Sequence, residues 1–186
     1  MIFFISFEAK KMDLKKYIRS IPDYPKKGIL FRDITTLVKD KDAFKESIDQ
    51  MSKLITKLNF DKIASIESRG FVFASALCYN LSKPLIIMRK KNQLPAEKYS
   101  QEFELEYGKS TLEIHKDSIK PNEKILIVDD LIATGGTSEA GAKLVEKSEG
   151  MVAGFLFVIN LFDLGGKKLL ENNGYKTFSL IDFPGH

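Results

Sequence analysis

Asp129 and Asp130 stand side by side after an apolar run, Ile125-Leu126-Ile127-Val128. Leu131, Ile132 and a small-residue segment, Ala133-Thr134-Gly135-Gly136-Thr137, follow them. Each part suggests a chemistry. Two adjacent ionised carboxylates accept hydrogen bonds and repel anions, so they suit the vicinal hydroxyls of a ribose. The small-residue segment lets the backbone turn tightly, and its N–H groups can converge on an anion where a helix begins. A sugar diol beside a phosphate is a ribose phosphate. Rival motifs fail on their own terms. A calcium loop needs oxygen ligands at alternating positions, which this segment lacks. Gly108-Lys109-Ser110 could end a P-loop, but Phe103 stands where the first glycine belongs, and no apolar strand precedes it.

These residues need a scaffold. The branched apolar run suits a strand covered on both faces, as in a parallel sheet flanked by helices. Upstream, Asp40 or Asp42 can cap a helix whose apolar positions Phe44, Ile48, Met51, Leu54, Ile55 and Leu58 share one face. Lys62 to Ile66 reads as a short strand, and the Arg69-Gly70 turn leads into a second helix. Pro84 to Met88 reads as another buried strand. After the central run and its helix come a strand from Val152 to Leu161, a short helix near Lys167 to Asn172, and a last strand from Thr177 to Ile181. Alternation of strand and helix predicts an α/β domain with a mainly parallel twisted sheet flanked by helices. Ligands of such sheets bind outside the carboxyl ends of the strands, where Asp129 and Asp130 are expected.

From Arg89 to Glu113 the chain turns polar and charged. That is too long for an idle connection. It is expected to be a lid that keeps an activated sugar phosphate from water, with a plain β-ribbon as the alternative.

The 186 residues, 44% apolar and 29% charged, allow one substantial core, and no linker or repeat divides them. A net charge of +4, with lysines spread along the chain, suits an anionic small-molecule substrate and gives no sign of nucleic-acid binding. The single cysteine, Cys78, excludes an internal disulfide and fits a reducing cytoplasm. Its neighbours Phe71 to Leu77 point to core packing. No stretch is long and apolar enough to cross a membrane.

Residues 1–11 lack the basic region and cleavage site of a signal peptide. Met12 opens a better amphipathic start, so 12–186 is expected to be the single domain. By this hypothesis residues 1–11 are a disordered or mis-annotated extension, and an intact mass that includes them would refute the mis-annotation.

The Asp129 to Thr137 segment resembles the phosphoribosyl pyrophosphate loop of the type I phosphoribosyltransferases. Four more segments extend that likeness: Pro25 to Thr35 (Pro-Lys-Lys-Gly-Ile-Leu-Phe-Arg-Asp-Ile-Thr), Glu67 to Phe71 (Glu-Ser-Arg-Gly-Phe), Arg89 to Pro95 (Arg-Lys-Lys-Asn-Gln-Leu-Pro) and Leu105 to Gly108 (Leu-Glu-Tyr-Gly). In order and spacing the set resembles the adenine phosphoribosyltransferase family, from about Asp13 to near the C-terminus. The resemblance implies a small N-terminal hood, a flexible lid, and transfer of a phosphoribosyl group to N9 of adenine, giving AMP and pyrophosphate in purine salvage.

Roles follow from the likeness. Ala133, Thr134, Gly135, Gly136 and Thr137 would hold the 5-phosphate. Asp129 and Asp130 would bind the ribose hydroxyls and stabilise an oxocarbenium-like transition state. Arg69 would grip the leaving pyrophosphate, with Arg89 close to the same diphosphate. Leu30, Phe31 and Arg32 would bind adenine, with backbone groups reading its edge and Phe31 against its face. Glu106 would be the acid/base, and Tyr107 would close the lid over the site. Magnesium is implied with the diphosphate, without a protein cluster built to hold it beyond a water-mediated role of the two aspartates. A homodimer is implied as well.

Asn92 and Gln93 stand where the family more often has a glycine and a lysine, which removes one phosphate contact. The base rests on resemblance, so hypoxanthine, guanine or xanthine stay open as acceptors. A regulator that binds phosphoribosyl pyrophosphate without catalysis would need an added DNA-binding domain or a strong basic face.

Overall fold

In the computed structural model, residues 12–105 and 108–185 are described. Residues 1–11 therefore lie outside the described residues, as do Glu106 and Tyr107. A 3-10 turn, Leu14–Tyr17, precedes strands β1 (Arg19–Pro22) and β2 (Leu30–Asp33), which pair antiparallel as a separate two-stranded sheet. Two helices follow, α1 (Thr35–Val38) and α2 (Lys41–Leu54). Asp40 caps α2 by accepting from the N–H groups of Asp42 (3.1 Å) and Ala43 (2.9 Å). Ala43, Ile48 and Met51 are its buried face. The helix stops earlier than its apolar spacing predicts. Leu54 is its last residue and is exposed, while Ile55 and Leu58 pack on the core from the turn beyond.

The main sheet is built from β3 (Lys62–Ile66), β4 (Leu85–Lys90), β5 (Lys98–Leu105), β6 (Gly108–His115), β7 (Lys124–Ile132), β8 (Met151–Leu161) and β9 (Thr177–Phe183). Its spatial order is β5-β6-β4-β3-β7-β8-β9. The five strands from β4 to β9 run parallel, and the hairpin β5–β6 extends one edge antiparallel. Helices α3 (Gly70–Leu81), α4 (Gly136–Lys147) and α5 (Gly166–Asn172) make the crossovers. In β7, Leu126 and Val128 pack with α2 and α3, while Ile125 and Ile127 pack with α4 and α5 on the other face. Burial on both faces is why the run is apolar without alternation.

One expectation changes here. The central strand does not stop at the carboxylates. It runs on to Ile132, because β8 continues opposite it with Leu131 against Ile159 and Ile132 against Asn160. The polar stretch from Arg89 is largely the β5–β6 hairpin, anchored by a buried carboxylate. Glu113 is 2% exposed, ion-paired with Lys98 at 3.3 Å, and accepts from the Asn92 N–H at 3.0 Å. The hairpin also lies along α4, where Lys147 Nζ donates to the carbonyl of Ser100 at 2.9 Å.

Candidate functional site

Parallel register assembles the site. Ser65 of β3 stands opposite Val128 of β7, so the turn after β3 arrives beside Asp129 and Asp130. That turn is Glu67-Ser68-Arg69, with a cis Glu67–Ser68 peptide, and it leads directly into α3. The first residue of α3 has to be glycine. A Cβ on Gly70 would lie 2.7 Å from Asp129 Oδ1 and 2.9 Å from Ser65 Oγ. The start of a helix, with its partial positive charge, thus faces a carboxylate.

Asp130 is 4% exposed, and its N–H donates to Asp129 Oδ1 at 2.8 Å. Arg69 Nε lies 3.0 Å from Asp130 Oδ2. The pair is ionic in distance but not aligned as a hydrogen bond, so Oδ2 is a buried acceptor with no hydrogen-bond donor. Burial raises both carboxyl pKa values, and repulsion from Asp130 raises that of Asp129 further, while Arg69 opposes the rise at Asp130. Two such carboxylates are poised to accept donors from a ligand.

Beyond β7 the loop turns through Gly135, at φ +92°, into α4. The N–H groups of Gly136, Thr137 and Ser138 form the first turn of that helix and have no intrahelical acceptor. A second glycine pair, unforeseen in the sequence, supports the loop. Gly166 N–H donates to the Ala133 carbonyl at 2.9 Å, and a Cβ on Gly166 would lie 2.3 Å from that oxygen. The hairpin covers the other side, since a Cβ on Gly136 would come within 3.1 Å of the Glu104 carbonyl.

Asp129, Asp130, Arg69 and the loop from Ala133 to Thr137 line one cavity of about 590 Å³, together with Glu67, Ser68, Pro25 and Ile29. Arg89 does not line it. Its guanidinium is held behind the wall, donating to Glu67 through Nε at 3.0 Å and to Gln93 Oε1 through Nη2 at 2.7 Å. Hydrogen bonding from Arg89 holds the Glu67 carboxyl below its ordinary pKa. No local sequence signal marked this arrangement, because Glu67 and Arg89 are 22 positions apart.

A second cavity, about 210 Å³, adjoins the first and shares Ile29, Arg69, Leu131 and Ala133 with it. Leu30, Phe31 and Arg32 line it. The Arg69 guanidinium sits 5.1 Å from the Phe31 ring centre, which brings the two cavities to one cation. The side chain of Arg32 turns elsewhere. It donates to Ser20 Oγ and, at 2.8 Å, to the Pro184 carbonyl, and it lies 4.5 Å from the Phe183 ring centre. Among the described residues no group of three or more His, Cys, Asp or Glu side chains converges as a metal site, and no helix is long and apolar enough to cross a membrane.

Comparison with known proteins agrees with this geometry. The phosphoribosyl transferase domain family matches residues 34–185. An adenine phosphoribosyltransferase of Pelagibacter ubique is 65% identical over 175 residues, which cover 94% of this chain and all of the relative. The crystal structure of adenine phosphoribosyltransferase from Thermoanaerobacter pseudethanolicus superposes with a TM-score of 0.88 at 48% identity, covering 91% of this chain and 98% of that one. The Saccharomyces cerevisiae enzyme, solved with an imino-altritol bisphosphate and adenine, gives 0.83 at 33% identity over 90% of this chain and 96% of its own.

Proposed function

The chain belongs to the adenine phosphoribosyltransferase family, and from that premise we infer that it transfers the phosphoribosyl group of phosphoribosyl pyrophosphate to N9 of adenine, releasing pyrophosphate and AMP. The observation that carries this reading is the pair Asp129 and Asp130 set between a helix-start loop and Arg69, with the Phe31 cavity opening beside them.

Each group has work suited to its chemistry. The N–H groups at the start of α4 and the hydroxyls of Thr134 and Thr137 hold the 5-phosphate. Asp129 and Asp130 accept from the ribose hydroxyls, and their charge offsets the positive charge that grows on the ribose as pyrophosphate leaves. Arg69 takes the departing diphosphate from its place beside Asp130, and Arg89 contributes positive potential from behind Glu67. Adenine lies against Phe31, where stacking is worth about 1–3 kcal/mol. β2 pairs along one edge only, with β1, which leaves its other edge to read the base through backbone groups. Glu106 exchanges the proton that the purine imidazole must lose or gain, and Tyr107 shields the site.

Magnesium bound with the diphosphate supplies charge neutralisation there. The residues present fit a loose hold, since Asp130 Oδ2 has no donor and no further carboxylate joins the pair among the described residues.

The assembly we propose is a homodimer. Tyr79 is 91% exposed, and Val72 on the same helix and Leu85 and Ile87 on β4 are exposed apolar residues as well, surface that a second copy would cover. The buried Cys78 suits a reducing cytoplasm.

Initial rates of nucleotide formation from phosphoribosyl pyrophosphate, magnesium and each purine base separately test the reading. Adenine turning over far faster than hypoxanthine, guanine or xanthine supports it. Preference for a 6-oxopurine overturns the base, and donor binding without turnover overturns the catalysis.

A further inference from the structure

The C-terminal residues occupy a place that neither the reaction nor the family motifs require. β9 ends at Phe183, and two residues further on buried Gly185 lines the smaller cavity together with Phe31, Leu161 and Leu164. Three ties hold it there. Arg32 Nη2 donates to the Pro184 carbonyl at 2.8 Å. The Gly185 N–H donates to Asp163 Oδ1 at 2.6 Å. The Phe183 ring packs against both Lys15 and Arg32, with cationic centres 4.7 and 4.5 Å from its centroid. The fit is tight as well, for a Cβ on Gly185 would lie 2.6 Å from Leu164 Cγ and 2.9 Å from Asp163 Oδ1.

We propose that the Pro184–Gly185 strap is a wall of the purine-base site, that Arg32 and Asp163 are its positioning residues, and that this strap sets affinity for the base independently of the donor. The inference rests on the base lying beside Phe31. Arg32 then serves the base through the strap, because its guanidinium is committed to Ser20, Pro184 and Phe183. Asp163 is the sharper handle. It is exposed, outside both cavity linings, and its carboxylate holds the one N–H that fixes Gly185 against Leu164. Loosening the strap leaves Asp129, Asp130 and the Ala133 to Thr137 loop in place, so the two substrates are affected unequally.

Steady-state kinetics of Asp163→Ala, Asp163→Asn and Gly185→Ala, beside the unaltered enzyme, test this with adenine and phosphoribosyl pyrophosphate varied in turn. Asp163→Ala should raise KM for adenine on the order of fivefold or more and leave KM for the donor within about twofold. Asp163→Asn keeps an oxygen acceptor for the Gly185 N–H and should recover most of the affinity. Gly185→Ala forces the strap from Leu164 and should repeat the adenine defect. An unchanged adenine KM in Asp163→Ala overturns the proposal, as does a parallel rise in both KM values, which marks general damage to the fold. If the unaltered enzyme makes no AMP from adenine, the reading of the reaction fails first and the strap's role falls with it.

Discussion

Arg69 Nε lies 3.0 Å from Asp130 Oδ2, while the same guanidinium stands 5.1 Å from the centre of the Phe31 ring. One cation thus links the paired carboxylates of the larger cavity to the aromatic wall of the smaller one. Its backbone is fixed by the turn between β3 and α3, and its head is half exposed, so it can follow a diphosphate without moving the scaffold. Lysine cannot reproduce the geometry, because a point charge lacks the planar fork. Arg69→Lys should lower kcat/KM for the donor by about 10- to 100-fold, the range of a lost hydrogen bond to a charged group. Fluorescence or calorimetric titration with pyrophosphate should weaken in step. Retained pyrophosphate affinity would assign Arg69 a purely structural role.

Burial of the Asp129 and Asp130 carboxyls carries a cost in stability. Burial raises the Asp129 pKa well above its ordinary value, so the folded protein binds that proton more tightly than the unfolded chain does. By linkage, stability is then greatest below the unfolded carboxyl pKa, about 3.9, and declines as pH rises toward the folded pKa. Asp129→Asn removes this penalty while its Oδ1 still accepts from the Asp130 N–H. At neutral pH the variant should melt at a higher temperature than the parent, with the gap closing near pH 4, and kcat should fall on the order of a hundredfold. Parallel melting curves at every pH would refute the linkage.

Glu67 carries the opposite sign. Its pKa is lowered by the hydrogen bond from Arg89, so its stabilising share is present above the ordinary carboxylate pKa and is lost as pH falls through the lowered value. Glu67→Gln should flatten the acid limb of the stability profile. It should also raise KM for the donor several-fold by releasing Arg89, with KM for adenine little changed. A profile identical to the parent's in acid would remove Glu67 from the account.

Gly166 supports the Ala133 to Thr137 loop from outside the cavity. A Cβ there would lie 2.3 Å from the Ala133 carbonyl and 2.7 Å from the Gly135 nitrogen, both backbone atoms that cannot turn away. Gly166→Ala should cost about 1–3 kcal/mol of stability through overpacking, read by urea denaturation. It should also weaken donor binding more than adenine binding. Gly165→Ala, at φ +77° with open space around its Cβ, serves as the strain control.

The exposed apolar residues Val72, Tyr79, Leu85 and Ile87 should be covered in solution. Analytical ultracentrifugation of the unaltered chain should give a dimer, and Tyr79→Glu combined with Ile87→Lys should shift it toward monomer. A monomer before any substitution would end the homodimer proposal.

Much of this was legible in the chain because the decisive residues are local. Ile125 to Val128 suited a strand covered on both faces, because four branched apolar residues in a row favour extended, doubly buried backbone. The glycines and threonines after it suited a tight turn into a helix. Alternation of such runs with helical patterns was enough to predict a mainly parallel α/β sheet. Other features depended on contacts between distant segments, which periodicity does not encode. The extension of β7 to Ile132 needed β8 beside it, and the early end of α2 left Leu54 exposed despite its place in the pattern. Arg89 sits one layer behind the cavity because Glu67 and Gln93 hold it there. Gly166 matters only because its loop packs on Ala133, and Arg32 reaches Pro184 across 152 positions of sequence. Residue type and local spacing determine which chemistry is available, but which groups share a cavity is set by packing between elements that meet only in the folded chain.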